Sequence, residues 1–313
     1  MTSVSAAGAT ASGRSMVRGA EAAARRQVPD SYTRVAMHYA IRNAVDRVRN
    51  VFIKRRLVTS LSDNGRYPQV CLDAANDVAT FRHFRRIRNY RAILEHVSET
   101  DGRAYLDHVR RRPELLAALP RFAANDLHGL PRTFEYAPFG RLSPTTLRYV
   151  KVLGDLLDRF GSLDGLSICE IGVGYGGQCR VISEWARPSE YCLVDLRPAL
   201  GLAERYLDQY VLPMPIELRT LNTLRSRDWD LVISNYALTE MPREVQDAYV
   251  DRVVRRAKRG YVTCNRINPA EFRSLTPEQL CALAPDARRE PELPLTHPDN
   301  CIITWGPAAA PGK

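Results

Sequence analysis

The sequence predicts an α/β protein, a doubly wound, mostly parallel sheet preceded by an α-helical N-terminal region. Three observations carry that expectation. Short β-like runs alternate with helical stretches between residues 167 and 265, the rhythm of βαβ units with helices on both faces of a sheet. A glycine-rich turn links the first of those strands to the helix after it. Upstream of residue 130, apolar residues recur at helical spacing instead.

Residues 1–29 read as a disordered tail, because Ala, Ser and Arg with the single acid Glu21 cannot bury enough surface to offset chain entropy. The same composition also suits an organellar transit peptide. Residues 30–130 read as a helical, basic cap that would meet the substrate. Its apolar series are Val35-Tyr39-Val45-Val48-Phe52, Phe81-Phe84-Ile87-Ile93-Leu94 and Tyr105-Leu106-Val109. Residues 1–130 hold 22 Lys and Arg against 12 Asp and Glu, whereas residues 131–313 hold 23 of each. The whole net charge of +10 therefore belongs to the N-terminal part, where any anionic partner would be drawn. Arg82, Arg85, Arg86, Arg88 and Arg91 crowd one of its helices.

Residues 131–313 form the expected sheet domain. Leu130 to Ser143 is a loop, and Ser143 then caps a helix that begins at Pro144 and stops at Gly161. Strands are expected at Ser167–Ile171, Tyr191–Leu196, Ile216–Thr220, Leu231–Asn235 and Gly260–Asn265, with helices at Gly177–Trp185, Leu200–Tyr210 and Glu244–Lys258. Cys301–Trp305 would add an edge strand. The chain is 45% hydrophobic and 26% charged, an ordinary globular balance. No apolar run approaches the ~20 residues that span a bilayer. Seven cysteines form no CxxC pair and no zinc-like spacing with histidine, which points to free thiols in a reducing compartment, the cytoplasm.

The chemistry concentrates where the strand Ser167–Ile171 enters Gly172-x-Gly174-x-Gly176-Gly177. Glycines permit a tight turn, and helix-start amides can receive an anion. The spelling alone also fits a dinucleotide fingerprint. Context separates the two. Glu170 precedes the loop, where a carboxylate suits a ligand ammonium. Asp195 closes the next strand 23 residues after Gly172, the place of an acid that accepts from ribose hydroxyls. Asn235-Tyr236 ends the fourth strand, at the edge where open α/β sheets bind ligands.

Glu170–Gln178, Asp195 and Asn235-Tyr236-Ala237-Leu238-Thr239-Glu240-Met241 resemble class I S-adenosylmethionine-dependent methyltransferases. More narrowly the chain is similar to the bacterial sugar O-methyltransferase family. That resemblance extends through Asn125-Asp126, Gly129, Pro131-Arg132 and Ser143–Tyr149, and downstream to His297-Pro298-Asp299-Asn300. It covers roughly residues 120–306. It implies S-adenosylmethionine as cofactor and methyl transfer to a sugar hydroxyl on a glycan, polysaccharide or nucleotide sugar. It further implies that Gly172, Gly174 and Gly176 pass under the cofactor, with Tyr175, Gly177 and Gln178 completing the loop. Asp195, followed by Leu196, would hold the ribose, Asn222 would approach adenine, and Asn235-Tyr236 would flank the methionine end.

A neutral hydroxyl is a poor nucleophile, so transfer benefits from a general base. His297 is the only histidine in the catalytic half and is the preferred base; Glu240 is the other candidate. Asn125, Asp126, Arg132, Arg141, Asn265 and Arg266 are the candidate substrate contacts. No metal site is expected, because Asp228 and Asp230 flank the start of a strand, away from the ligand edge. An RNA acceptor attracted by the basic cap is the alternative. An NAD(P)-dependent oxidoreductase and a non-catalytic scaffold are the remaining readings.

Overall fold

The computed structural model describes residues 59–284 and 286–308; the expected tail over residues 1–29 and the series Val35–Phe52 lie outside them. The described residues all fall within one compact unit. The described residues begin with α1 (Arg66–Asn76), α2 (Val78–His83), α3 (Arg88–Arg91), α4 (Glu99–Val109) and α5 (Pro113–Phe122). A two-stranded hairpin follows, β1 (Phe134–Glu135) and β2 (Arg141–Leu142). Next comes the long helix α6 (Pro144–Phe160), as expected from its signals. Ser143 Oγ accepts the Thr146 N–H, Pro144 opens the first turn, and Gly161 leaves the helix at φ 73°.

The remaining elements alternate as the sequence predicts, with the addition of a short helix, Pro277–Cys281, and a strand, Arg288–Pro291, that it did not. They are β3 (Ser167–Ile171), α7 (Gly177–Trp185), β4 (Glu190–Val194), α8 (Arg197–Leu207), β5 (Ile216–Arg219), β6 (Leu231–Asn235), α9 (Arg243–Arg252), β7 (Gly260–Cys264), α10 (Pro277–Cys281), β8 (Arg288–Pro291) and β9 (Cys301–Trp305). The sheet runs β5-β4-β3-β6-β7-β9-β8. Its first five strands are parallel, and β9 runs against β7 and β8. The order reverses at β3, where β4 and β6 lie on either side. This is the Rossmann-like, doubly wound architecture, and its ligand edge lies beyond the carboxyl ends of the parallel strands.

Successive strand residues feed opposite layers, as the pleat requires. Ile168, Tyr191, Leu193, Leu231, Ile233 and Tyr261 pack toward α1 and α4–α8. Cys169, Ile171, Cys192, Val194, Val232 and Val262 pack toward α9 and α10. Helix α6 is buried along nearly its whole length, because the sheet lies on one side and α4 on the other. The outer strand β8 is Arg-Arg-Glu-Pro, charged and proline-ended, a composition that discourages pairing by another chain.

The N-terminal layer departs from expectation in one place. Phe81–Leu94 is not a single helix, because Ile87 is extended and separates a 3-10 turn at Phe84–Arg86 from α3. The break turns Arg85 inward, fully buried. Its guanidinium reaches Glu95 at 2.6 Å, Asp126 at 3.0 Å, the Asn125 carbonyl at 3.2 Å and Ser143 Oγ at 3.1 Å, and it lies 4.8 Å from the Tyr175 ring centroid. One side chain thus binds the cap segment, the helix-start loop and the glycine turn together.

Candidate functional site

At the reversal point the chain turns through Gly172 (φ 80°), Gly174 (φ 56°) and Gly176 (φ 84°), a left-handed series that glycine adopts without steric cost. The neighbours are also close. A methyl at Gly172 would overlap Ala237 Cβ, and one at Gly174 would stand 2.5 Å from Leu94 Cδ1. Gly172→Ala is therefore expected to lower stability by about 1–3 kcal/mol through strain and overlap. A melt of wild type and variant measures it; an unchanged midpoint would remove the steric argument. The first amides of α7 follow this turn and have no preceding helical turn to bond to.

Asp195 organises the loop. Its Oδ2 accepts the Val173 amide at 2.8 Å and the Gly174 amide at 3.1 Å, and its Oδ1 accepts the Leu196 amide at 2.6 Å. Burial pushes its carboxyl up to about 6, against the pull of those three amides. Two amides of the glycine turn are thus already occupied by a carboxylate. One acceptor position on Oδ1 remains for a ligand hydroxyl.

On the other side of the reversal, Ser234 Oγ donates to the Ile171 carbonyl and accepts from the Leu238 amide, clamping the end of β6. Asn235 lies next to it with a buried Oδ1 that has no partner among the described residues. Tyr236 takes φ 69°, a conformation that costs a non-glycine residue energy and is concentrated at functional sites. Its hydroxyl donates to Glu292, which is buried in the β8–β9 connection and also accepts from Thr296 and Asn300. Glu240 and Asn265, expected as base and substrate contact, meet: Asn265 Nδ2 donates to Glu240 Oε1 at 2.6 Å. Burial raises the Glu240 carboxyl above its ordinary value, while Asn265 and the nearby charge of Arg148 draw it back.

Other expected residues are placed differently. Glu170 is buried beneath the turn and accepts the Tyr191 hydroxyl at 2.7 Å; burial lifts it to about 8. The Tyr175 ring is buried in the helical layer, away from the loop face, with its hydroxyl on Asn125. Gln178 donates to the Tyr149 carbonyl, its Oε1 has no partner, and Gly177 is covered by Tyr149 and Tyr175.

Asn125 and Asp126 are not presented to a substrate. Asn125 bonds Thr146, Tyr175 and Tyr206, and Asp126 takes Arg85, Ser143 and Thr146. Their partners lie too far along the chain for a local reading to reveal. Arg132 lies over Phe134, Arg141 binds Thr133, and both are exposed. Asn222 and Arg266 are exposed as well. His297 is exposed in the β8–β9 turn, where its Nδ1 accepts the Asp299 amide at 3.3 Å. That contact engages the lone pair of the Nε2–H tautomer, whereas Glu240 is half-buried beside Asn265.

Arg148, Tyr105 and Glu292 were not among the expected site residues. Besides the resembling stretch Ser143–Tyr149, the signal for Arg148 was a polar series at helical spacing, Arg148-Lys151-Asp155, inside an otherwise apolar helix. No group of three metal-ligating side chains occurs among the described residues, and none of their helices is long and apolar enough to cross a membrane.

No family model matches the chain, and no curated protein matches it. Among solved structures, it is similar to the magnesium protoporphyrin IX methyltransferase of Synechocystis PCC 6803 with bound SAH. The two share 15% identity over 50% of this chain and 80% of the other, at a TM-score of 0.39. It is also similar to a 16S rRNA methyltransferase of T. thermophilus in complex with AdoMet and guanosine. Here identity is 16% over 57% of this chain and 46% of the other, with a TM-score of 0.39.

Proposed function

We propose that this chain is an S-adenosylmethionine-dependent O-methyltransferase acting on a sugar hydroxyl. One observation carries the choice of cofactor. Asp195 already occupies the Val173 and Gly174 amides, and a dinucleotide would need such loop amides for its diphosphate. A carboxylate there repels a diphosphate and favours a ligand that brings hydroxyls and positive charge. S-adenosylmethionine brings both, and it supplies an activated methyl group on sulfur.

The residues present fit that ligand. The glycine turn is a cradle without side chains, Asp195 Oδ1 retains an acceptor position for the ribose, and the partnerless Asn235 Oδ1 faces the need for a donor such as the methionine ammonium. Glu240, held by Asn265, takes the proton from the acceptor hydroxyl as it attacks. Its raised affinity for protons makes it a stronger base than an ordinary exposed carboxylate. The sugar acceptor rests on the family resemblance of the sequence; an RNA acceptor is the second reading, favoured by the exposed arginines Arg82, Arg88 and Arg91. Seven free thiols, six of them buried, support a cytoplasmic location.

Calorimetry with S-adenosylhomocysteine, NAD and NADP tests the cofactor. Binding of the first alone is expected; binding of NAD would reverse the choice. The Asp195 carboxyl also sets a pH dependence. Ligand hydroxyls bond its ionised form, which is scarce below about 6. Affinity for S-adenosylhomocysteine should therefore rise about tenfold from pH 5 to pH 7, and Asp195→Asn should flatten the curve while weakening binding by about 1–3 kcal/mol. The same raised carboxyl affects folding in the opposite direction. The folded chain keeps this proton from about pH 4 to 6, after the unfolded chain has lost it, so this contribution to stability is present at low pH and withdrawn as pH rises through 6.

A further inference from the structure

Four cations are buried among the described residues: Arg85, Arg148, Lys151 and Arg180. Three have a carboxylate in contact. Arg85 has Glu95 at 2.6 Å, Lys151 has Asp155 at 2.8 Å, and Arg180 has Glu184 at 2.9 Å. Arg148 is 8% exposed and forms no ion pair with any described residue. Its guanidinium makes one long hydrogen bond, 3.4 Å to the Leu94 carbonyl. Its nearest other neighbours are aromatic, with ring centroids of Tyr149 at 5.7 Å and Tyr236 at 6.0 Å and with Tyr105 nearby, and the Glu95 and Glu240 carboxylates act on it only from beyond ion-pair distance. Removing a guanidinium from water without a counter-ion in contact costs several kcal/mol, so the arrangement works against stability unless something else uses the charge.

Its position shows what could use it. Arg148 projects from the start of α6 to Tyr236, just past β6, and lies within charge range of Glu240. Asp195, at the other end of the site, faces Tyr67 and Cys71 of α1 instead. The unpaired cation therefore belongs to the end where Glu240 meets the acceptor hydroxyl, away from the ribose end. A guanidinium offers five N–H donors in a planar fork that matches a carboxylate or phosphate.

We infer that Arg148 recognises an acid group, carboxylate or phosphate, on the acceptor, so that the methylated compound is a hydroxylated anion rather than a neutral alcohol. This rests on the reading of the site as a methyltransferase with Glu240 as base. The acid group supplies the missing counter-ion, and its bidentate hold fixes the hydroxyl against Glu240. The three tyrosine rings exclude water around that contact and so strengthen it. Arg148 is a specificity residue in this scheme: it selects the acceptor and leaves the cofactor end untouched.

The test uses the full chain saturated with S-adenosylhomocysteine and titrated with inorganic phosphate in moderate salt. Wild type should show a phosphate site that Arg148→Gln weakens tenfold or more and Arg148→Lys weakens less. S-adenosylhomocysteine itself should bind all three alike. The melting midpoint of Arg148→Gln should be unchanged or higher, since no ion pair is broken, and a clear drop would mark a structural role and overturn the inference. Equal phosphate binding in wild type and Arg148→Gln, or none in wild type, would overturn it too. A tenfold loss for S-adenosylhomocysteine with 5′-methylthioadenosine unaffected would assign Arg148 to the methionine carboxylate instead, and also refute it. Failure of wild type to bind S-adenosylhomocysteine at all would instead sink the methyltransferase reading. Methyl transfer to glucuronic acid and glucose then distinguishes acid-bearing from neutral acceptors, with the preference levelled in Arg148→Gln.

Discussion

Arg85→Met is expected to destabilise the protein by about 3–5 kcal/mol, a large share of the margin of an ordinary domain. Methionine fills much of the volume, so lost packing is not the main effect. The substitution leaves Glu95 and Asp126 buried with their shared cation removed, while the Asn125 carbonyl keeps Tyr206 and Ser143 Oγ keeps the Thr146 amide. Burial already raises the Glu95 carboxyl, with Arg85 opposing it; without Arg85 the carboxyl would take up a proton. The loss should consequently shrink at low pH, where a neutral Glu95 needs no counter-ion. Denaturant unfolding at pH 5 and pH 8 measures both. A loss under about 1 kcal/mol, or one independent of pH, would show that the network contributes little.

Glu240→Gln should cut turnover by about 100-fold or more, with S-adenosylhomocysteine affinity retained. The glutamine keeps the shape and an oxygen for Asn265, so only proton acceptance is lost. Because burial raises Glu240, the acid limb of the rate profile should lie above the usual glutamate range of about 4.3. Arg148 opposes that rise, so removing its charge should move the limb higher still. His297→Ala should stay close to wild-type turnover, since the side chain is exposed and its Nδ1 is engaged by Asp299. A normal rate for Glu240→Gln alongside a collapsed rate for His297→Ala would restore the histidine as base.

The sheet was legible because its strands are short apolar runs set between helices with explicit start and stop residues. Ser167–Ile171, Gly177–Trp185, Leu231–Asn235 and Cys301–Trp305 appear in the structure with the bounds read from the sequence. Strand β8 was not legible, since Arg-Arg-Glu-Pro has no apolar alternation and is held by pairing to β9 and by ion pairs of Arg289 and Glu290 with distant residues. The helix expected through Phe84 is interrupted at the extended Ile87, a break that no glycine or proline announces. In the site, glycine geometry and strand-end acids are local signals. Asn125 and Asp126 were misread, and Arg148 missed, because their roles depend on residues such as Arg85 and Tyr236 that only folding brings near.

The reversed direction of β9 has a consequence for how such a site can diverge. Because β9 runs against β7, the connection from Glu292 to Asn300 emerges at the same edge as the glycine turn. The five parallel strands do not depend on its length. On the proposed reading the cofactor groups lie within the parallel core, whereas Glu292 and Arg148, which flank Tyr236, come from a second stretch, the β8–β9 hairpin and the start of α6. A lineage could exchange the second for a new acceptor while inheriting the first intact.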